Sequence, residues 1–591
     1  MNAPDREIAA AQPPFAEKPA SPHDTASCGA DGYGTCPQTL TGAELVVRLI
    51  ARQGVDFVTG IPGGAILPVY DALACFPALR HVLARHEQGA GFVAQGAARA
   101  SGQVGVCLAS SGPGASNLVT ALADAMLDSI PIVAITGQVP LSMIGTDAFQ
   151  ELDICSVAAP ITKEVLFISH ARDLLEAVPL AFRIAQSGRP GPVLIDIPKD
   201  VQLEKVEITH WPEPSCPDPL PRAADVDLER AAAMIAAARH PLLYLGGGII
   251  HSGAAAAAVA LAEKASLPTV MTLMALGAMP VDHPLALGML GMHAAPYTNL
   301  VLEECDLLIV VGARFDDRAT GKLAEFCPGA KVIHIDIDAE ELGKLREPEL
   351  AMAADARLSL ETLLPKVAPR LNTDWLERVA AIKQAHPLCL KDEDDPRSHY
   401  GLIKAVADCL DDEAVVATDV GQHQMWVAQA YPLRRPRQWL TSGGLGTMGF
   451  GVPAALGAAL ACPGRTAVCF SGDGSILMNV QELVTAAEEN ANLKIIVMNN
   501  NSLGLVNQQQ TLFYGERIYA SRYRHGPDFV AVARGFGFAA VDLDMEADPR
   551  RALRQALEQP GPMLIHASID VNSHVYPIVP PGAANRDMIH G

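Results

Sequence analysis

The sequence lacks three features that mark other classes of protein. Its 12 cysteines include no pair at Cys-X-X-Cys spacing, so neither a zinc ribbon nor a disulfide framework is indicated. No uninterrupted apolar run approaches the roughly twenty residues that span a bilayer. Positive charge is scarce: 44 Lys and Arg against 66 Asp and Glu give a net charge of −22, which argues against a nucleic-acid partner. We therefore expect no membrane association and a reducing, cytoplasmic location.

Strand patterns and helix patterns alternate along a chain that is too long for one core. Its 591 residues suggest about three or four domains. The alternation predicts α/β domains with doubly wound, mostly parallel sheets. We predict three such domains, over residues 39–200, 223–365 and 398–570. Residues 1–38 have no apolar period and are predicted to be a disordered tail, and residues 571–591 are predicted to be a C-terminal tail.

One stretch of the third predicted domain has the pattern of a metal and diphosphate site. The loop 472–475 (Gly472, Asp473, Gly474, Ser475) follows a buried-strand pattern, and Asn500 follows the next one. A right-handed crossover makes these strands parallel, so Asp473 and Asn500 should lie at the same edge of one sheet. A carboxylate and an amide oxygen suit Mg²⁺ bridging a diphosphate, which the glycine backbone can approach closely. Each half alone is better explained as an ordinary turn, but the two together are specific.

These motifs resemble those of thiamine-diphosphate enzymes, and further motifs resemble acetolactate synthase large subunits. The resemblance runs from about residue 39 to the end of the chain. Within the family, the chain is similar above all to the bacterial isozyme I type. It implies two thiamine-binding domains that flank a Rossmann-like central domain. The segments that carry it include 61–65, 85–90, 145–151, 312–318, 443–449, 504–510 and 576–585.

The resemblance implies a thiamine diphosphate site built from the first and third domains. Glu87 would contact N1′ of the aminopyrimidine and promote loss of the thiazolium C2 proton. From the residues alone, Glu87 could equally be a helix-start carboxylate that favours the helix dipole. Asp473, the side chain of Asn500 and the carbonyl of Ser502 would bind Mg²⁺. The other implied contacts of the cofactor are the loop 472–475, Gln422, His423 and Met448, although Met448 could also be an ordinary core residue.

The resemblance also implies a pocket for two 2-keto acids. Gly64 and Gln150 would lie near the thiazolium and the bound keto acid, and Phe149 and Lys199 would lie in the substrate channel. Arg318 would bind the carboxylate of the second keto acid through its planar guanidinium. A surface ion pair between Arg318 and its neighbour Asp317 is the alternative.

The chain departs from the family at Gln509, where a tryptophan is usual and shapes the pocket of the second substrate. Loss of this apolar wall should weaken the preference for 2-ketobutyrate over pyruvate, since one methylene is worth only about 1–3 kcal/mol. We therefore expect mainly acetolactate from two pyruvates.

The central domain is expected to bind FAD, by resemblance, without net redox chemistry. The strand that ends at Asp336 is a plausible ribose-binding edge, whereas the glycines at 246–248 lack the dinucleotide-binding spacing. Matches to the family's flavin contacts include Arg189, His293 and Arg314.

The function implied by the resemblance is that of a catalytic subunit in branched-chain amino acid biosynthesis, leading to isoleucine and valine. A homodimer or tetramer and a small regulatory subunit are the implied partners. Three alternatives stay open: an FAD-free catabolic acetolactate synthase, a pyruvate oxidase, and an inactive scaffold that binds nucleotides or a partner. The catabolic synthase is disfavoured by the run 314–318. The oxidase is disfavoured by Phe149-Gln150 together with Asp317-Arg318. The inactive scaffold is disfavoured by the intact Glu87, Asp473 and Asn500.

Overall fold

The computed structural model describes residues 37–591, so nearly all of the predicted tail lies outside the described residues. Gln38, the last residue of that predicted tail, already belongs to strand β1 (Gln38–Thr41). This strand pairs antiparallel with β8 (Lys205–Ile208), which follows residue 200, where we predicted the first domain to end. The two strands clasp the beginning and the end of the first α/β unit.

The first α/β unit contains a six-stranded sheet in the order β3-β2-β4-β5-β7-β6, with every pair of neighbours parallel. Its strands are β2 (Phe57–Gly60), β3 (Arg80–Leu83), β4 (Gly105–Ala109), β5 (Ile132–Gln138), β6 (Glu164–Phe167) and β7 (Val193–Pro198). Its helices are α1 (Gly42–Arg52), α2 (Leu67–Ala74), α3 (Glu87–Ser101), α4 (Pro113–Asn117), α5 (Val119–Asp128), α6 (Ile154–Ala158), α7 (Leu174–Gln186) and α8 (Lys199–Leu203).

The central unit contains a second parallel sheet of six strands, in the order β11-β10-β9-β12-β13-β14. Its strands are β9 (Pro241–Leu245), β10 (Thr269–Met271), β11 (Ala286–Met289), β12 (Leu307–Val311), β13 (Lys331–Asp336) and β14 (Leu350–Ala353). Its helices are α9 (Asp225–Ala237), α10 (Gly248–Ser252), α11 (Ala255–Ala265), α12 (Pro296–Glu303), α13 (Asp317–Thr320) and α14 (Ala356–Leu363), and α15 (Thr373–Ala385) follows them.

The third unit has a parallel sheet in the order β16-β15-β17-β18-β20-β19. Its strands are β15 (Val415–Thr418), β16 (Trp439–Leu440), β17 (Ala467–Gly472), β18 (Leu493–Asn499), β19 (Ala539–Asp542) and β20 (Met563–Ser568). Its helices are α16 (His399–Ala407), α17 (Gln422–Ala430), α18 (Gly451–Ala461), α19 (Asp473–Ile476), α20 (Glu482–Glu488), α21 (Gly504–Phe513), α22 (Phe529–Gly535) and α23 (Pro549–Glu558).

The prediction of three α/β units with parallel sheets is confirmed. Strands such as β5 and β18 are buried along their whole length, because helices cover both faces of each sheet. This double cover explains why these strands read as continuous apolar runs and not as alternating patterns. Among the residues that the structure describes, no helix is long and apolar enough to cross a membrane.

Helices α3 and α18 pack the first unit directly against the third. A Cβ atom added to Gly96 of α3 would lie 1.9 Å from the carbonyl oxygen of Ala454, so only glycine allows the two backbones to approach this closely. The rings of Phe92 and Phe450 meet edge to face beside this contact, with centroids 5.4 Å apart. The packing fixes α3, and with it the position of Glu87 at its first turn.

The segment 571–591, predicted as a tail, packs against the central unit. Val575 and Ile578 are buried, the amide of Val579 donates to the carbonyl of Met292 at 3.0 Å, and the amide of Lys322 donates to that of Ala583 at 2.9 Å. The C-terminal segment therefore ties the third unit to the second.

Candidate active site

The predicted residues of the first unit lie after the carboxyl ends of its parallel strands. Gly64 follows β2, Glu87 follows β3, Phe149 and Gln150 follow β5, and Lys199 follows β7 directly. Because the strands are parallel, all five positions belong to one edge of the sheet. Phe149 is 87% exposed, so no part of the described chain covers this edge at that point.

Asp473 begins helix α19 at the corresponding edge of the third sheet. Its buried carboxylate accepts a hydrogen bond from the amide of Ser502 at 3.0 Å and further bonds from the amides of Gly474 and Asn501. Burial raises the pKa of Asp473 to about 6, and these backbone donors oppose the shift. The loops after β17 and β18 are therefore held together at a buried carboxylate, as the spacing of the two motifs predicted.

Asn500 is oriented by a chain of side-chain amides. Its Nδ2 donates to Oε1 of Gln422 at 3.0 Å, and Nε2 of Gln422 donates to Oε1 of Gln508 at 3.1 Å and to the carbonyl of Ser573 at 2.9 Å. Since the nitrogen of Asn500 is engaged, its oxygen is the atom left for a cation. Asp473 and Asn500 thus offer oxygen atoms of the kind that Mg²⁺ prefers, and the carbonyl of Ser502 stays the third predicted donor.

His423 supplies a direct test of whether a diphosphate fits this edge. Its Nε2 is buried and has no hydrogen-bond partner within residues 37–591. Burial lowers the pKa of His423 to about 3, so the ring is neutral as it stands. Cβ atoms on Gly421 and Gly472 would lie 2.8 and 3.0 Å from the ring, so these glycines keep the space beside it open. A diphosphate oxygen would supply the missing partner and would favour the protonated ring.

Met448 lies beside the Asp473 loop. A Cβ atom on Gly474 would be 3.6 Å from Cε of Met448 and 2.9 Å from Cδ2 of Leu503, which are apolar groups suited to support a flat ring. The hydroxyl of Ser475, in the same loop, donates to the carbonyl of Val420 at 3.0 Å.

Glu87 has a polar partner that the sequence did not suggest. Nδ2 of Asn117 donates to Oε2 of Glu87 at 2.9 Å, and a Cβ atom on Gly114 would lie 3.2 Å from Oε1. One oxygen is therefore held while the other faces a position that glycine keeps open. Asn117 ends α4, which follows the glycine loop after β4. The sequence could therefore have placed Asn117 at the same sheet edge as Glu87.

The loop that carries Gln150 meets the same glycine loop. Gln150 has a left-handed backbone, with φ of 62°, and its carbonyl oxygen lies 2.8 Å from the position of a Cβ atom on Gly112. By contrast, no hydrogen bond or ion pair joins Glu87 to the Asp473 loop within the described part of the chain. The two units do meet near this point, since the amide of Arg85 donates to Oε1 of Glu482 in α20 at 3.0 Å, but Glu87 and Asp473 are not joined to each other.

A cavity of about 730 Å³ lies between the central unit and its two neighbours. The glycine loops after β9 and β12 border it and touch each other, since a Cβ atom on Gly312 would lie 2.7 Å from Cα of Gly248. All the residues predicted to bind flavin line this cavity: Arg189, His293, Arg314 and Asp336.

The chemistry of the cavity fits a dinucleotide such as FAD. Two guanidinium groups, from Arg189 and Arg314, suit a diphosphate, and Asp336 at the end of β13 suits a ribose hydroxyl. Burial raises the pKa of Asp336 to about 6. Met274 and Met289 add apolar wall, which a flat ring system requires.

Arg189 and His293 are also held by the protein itself. Nε of Arg189 donates to the hydroxyl of Ser129 at 2.8 Å, and its Nη1 lies 3.2 Å from both Asp338 and Glu341. Nδ1 of His293 lies 3.0 Å from the carbonyl of Pro577, and burial lowers the pKa of His293 to about 4.

Arg318 and Gln509 line the same cavity, where it reaches the third unit. The side chain of Arg318 is 67% exposed, and its Nε is 3.6 Å from the carboxylate of Asp317, so the surface ion pair that was the alternative is present. A pair this exposed contributes little and leaves the guanidinium free to bind another carboxylate. The two predicted acceptor residues therefore line one cavity, whereas Phe149 and Lys199 lie on the first sheet's edge.

The fold and these two sheet edges define a class that comparison with known proteins identifies. Three segments match the models of thiamine pyrophosphate enzymes: the N-terminal TPP binding domain over residues 40–157, the central domain over 228–363 and the C-terminal TPP binding domain over 419–567.

Similarity to individual proteins narrows this class. The chain is 57% identical over 558 residues to the acetolactate synthase isozyme 1 large subunit of Escherichia coli (strain K12), covering 94% of this chain and 99% of the relative. It is 47% identical to the isozyme 2 large subunit of that bacterium, over 93% and 99% of the two chains. It is 44% identical to the chloroplastic acetolactate synthase 1 of Zea mays, over 93% and 88%. The chain belongs to the acetolactate synthase large-subunit family of thiamine pyrophosphate enzymes, and the resemblance is confirmed.

The contact between Asn117 and Glu87 leads to a prediction. Replacing Asn117 by Ala should lower kcat about ten- to hundred-fold, because a hydrogen bond to a charged group that orients Glu87 is lost. Steady-state kinetics of product formation measures the effect. Ser116→Ala is the matched control, since Ser116 is the exposed neighbour in α4 and bonds only to the carbonyl of Pro113. Equal activity of the two variants would contradict the role of Asn117.

Proposed function

We propose that the chain is the catalytic subunit of an acetolactate synthase. It decarboxylates pyruvate and joins the remaining two-carbon unit to a second pyruvate or to 2-ketobutyrate, giving 2-acetolactate or 2-aceto-2-hydroxybutyrate. This is the first common step in the synthesis of valine and isoleucine. The observation that carries the proposal is the 57% identity, over 94% of the chain, with a large subunit of that name.

The protein's own residues would prepare the reaction. When bound, thiamine diphosphate supplies the electron sink for the loss of carbon dioxide. Glu87 would hold or move a proton at Oε1, the oxygen that Asn117 leaves free. Arg318 would orient the second keto acid by its carboxylate, at the end of the cavity that Gln509 also lines.

Mg²⁺ and FAD are part of the proposal. Asp473, Asn500 and the carbonyl of Ser502 would hold Mg²⁺, and Gln422 and His423 would contact the diphosphate. The 730 Å³ cavity supports FAD through its two arginines and Asp336. As in the family that the chain resembles, the flavin would serve structure and not net electron transfer.

A second copy of the chain would complete the site. Within residues 37–591 Glu87 itself makes no hydrogen bond or ion pair with the Asp473 loop, and Phe149 is 87% exposed beside the exposed apolar residues Met143 and Ile144. We propose a homodimer, or a tetramer built from it, in which each Glu87 faces the Asp473 loop of the other copy.

The relatives' designation as large subunits supports a small regulatory partner. A cytoplasmic location agrees with the free state of every cysteine from Cys75 to Cys469.

Purified protein offers the test of this function. We expect yellow protein that forms acetolactate from pyruvate only when both thiamine diphosphate and Mg²⁺ are added. Colourless active protein would instead indicate an FAD-free synthase, and pyruvate oxidation that requires an electron acceptor would indicate an oxidase. Absence of any reaction with a bound cofactor would contradict the proposal and favour a binding scaffold.

The identity of Gln509 leads to a separate prediction about the acceptor. Pyruvate and 2-ketobutyrate in competition should give products close to their concentration ratio, within about ten-fold, because no aromatic wall favours the extra methylene. Gln509→Trp should shift the product ratio towards 2-aceto-2-hydroxybutyrate, and Gln509→Asn serves as the polar control. A strong preference for 2-ketobutyrate in the unmodified protein would show that Gln509 does not set the acceptor.

A further inference from the structure

A buried charge cluster joins the first unit to the third, at a place that the predicted site does not include. We propose that Asp124 and Asp128, near the end of helix α5, are positioning residues for the thiamine site, which they hold in place through the glycine-rich loop 442–449. The inference rests on the proposed function only in naming what the loop serves. The contacts themselves belong to the chain.

The first contact is made by Asp124, which is fully buried. Its Oδ2 accepts hydrogen bonds from the hydroxyl of Ser442 and, at 2.9 Å, from the hydroxyl of Thr447. These two residues stand near opposite ends of the loop, and the amide of Thr447 also donates to the hydroxyl of Ser442 at 2.8 Å. One carboxylate of the first unit therefore holds the two ends of a loop of the third unit close together.

The second contact is made by Asp128, one helical turn further on. Its two oxygens accept the amides of consecutive glycines, Gly443 at 3.0 Å and Gly444 at 2.7 Å. Backbone amides cannot rotate away as side chains can, so this contact fixes the path of the loop. The four bonds from Ser442, Gly443, Gly444 and Thr447 all end on the same helix.

Arg99 forms an ion pair with both carboxylates. Its Nη2 lies 3.1 Å from Asp124 and 2.9 Å from Asp128, and its Nη1 donates to the carbonyl of Thr441 at 3.0 Å. The three charged side chains are 6% exposed or less. Removing water from such a cluster is expensive unless each charge is paired, so the loop's hydroxyls and amides are required partners and not incidental neighbours.

The far end of the loop connects this cluster to the predicted cofactor. Thr447 is followed by Met448, whose Cε lies beside Gly474 of the Asp473 loop. Gly449 is then fixed in the third unit, because its amide donates to Asp419 and its carbonyl accepts from Asn479, both at 2.8 Å. Met448 is therefore held between an anchor in the first unit and an anchor in the third, so a change at Asp124 should reach Met448 through one residue.

The two carboxylates differ in one respect that makes the proposal testable. Asp128 lines the cavity of about 730 Å³, together with Ser129, Gly443 and Gly444, whereas Asp124 does not. Asp124 reaches the cavity only through its partner Ser442, which lines it, so a change at Asp124 should disturb the thiamine side more than flavin binding. A change at Asp128 should disturb both.

The test uses Asp124→Asn and Thr447→Val, which alter the same contact from its two sides. In the full-length protein as purified, hydrogen–deuterium exchange of the peptide covering 442–449 should speed up about ten-fold or more in both variants. The Kd for thiamine diphosphate with Mg²⁺, measured by tryptophan fluorescence, should rise, and exchange of the thiazolium C2 proton should slow. Relative to the control, flavin content should fall less than the affinity for thiamine diphosphate.

The control is Thr136→Val, which removes a buried hydroxyl from a carboxylate elsewhere in the first unit. Thr136 donates to Asp196 at 2.7 Å and does not contact the loop. If both loop variants exchange and bind thiamine diphosphate as the control does, the positioning role is overturned. Hydrogen–deuterium exchange of the loop does not require catalysis. A lack of acetolactate synthase activity in the unmodified protein would therefore be detected independently of the loop's role.

Discussion

Parallel pairing is the constraint on which the rest of the structure depends. The three six-stranded sheets are parallel throughout, so the connections that leave the carboxyl ends of their strands gather at one edge of each sheet. At such edges backbone amides and helix N-termini are free to meet ligands. Glu87 and Asn117 meet at the first edge, Asp473 and the Asn500–Gln422 pair at the third, and the arginine-lined cavity adjoins the second. The predicted site residues therefore lie at the edges of three different sheets, and only packing between units can bring these edges together.

Two of the contacts between the first and third units lie within one chain and involve helix α3. Helices α3 and α18 pack at backbone distance through Gly96, and the Arg99 cluster clamps the loop 442–449 onto helix α5. Both contacts begin on α3, since Arg99 lies in the same helix whose first residue is Glu87. The helix that presents the proposed catalytic carboxylate therefore also anchors the loop that presents Met448. The glycine contact and the buried charge cluster both stabilise the packing of the first unit against the third.

The sequence allowed the three sheets and the Asp473–Asn500 edge to be predicted, because strand periodicity and glycine loops are local signals. The residues predicted to bind flavin came from the family resemblance. The sequence did not reveal the contacts that depend on how units pack. Asp124 and Asp128 stand on a helix, where acidic residues usually face solvent, but here they are buried against Arg99 and the loop 442–449 of the third unit. Asn117 could be placed at an edge but not against Glu87. The C-terminal segment after residue 570 is short of regular structure, and its docking on the central unit has no local pattern.

The central claim is that the edge with Glu87 and the edge with Asp473 form one thiamine site across two copies of the chain. Complementation between Glu87→Gln and Asp473→Asn measures this most directly. Each variant alone should be inactive, and co-expression of equal amounts should restore about a quarter of the normal activity, because half of the dimers then contain one intact site. No restored activity from a stable mixed dimer would contradict the claim.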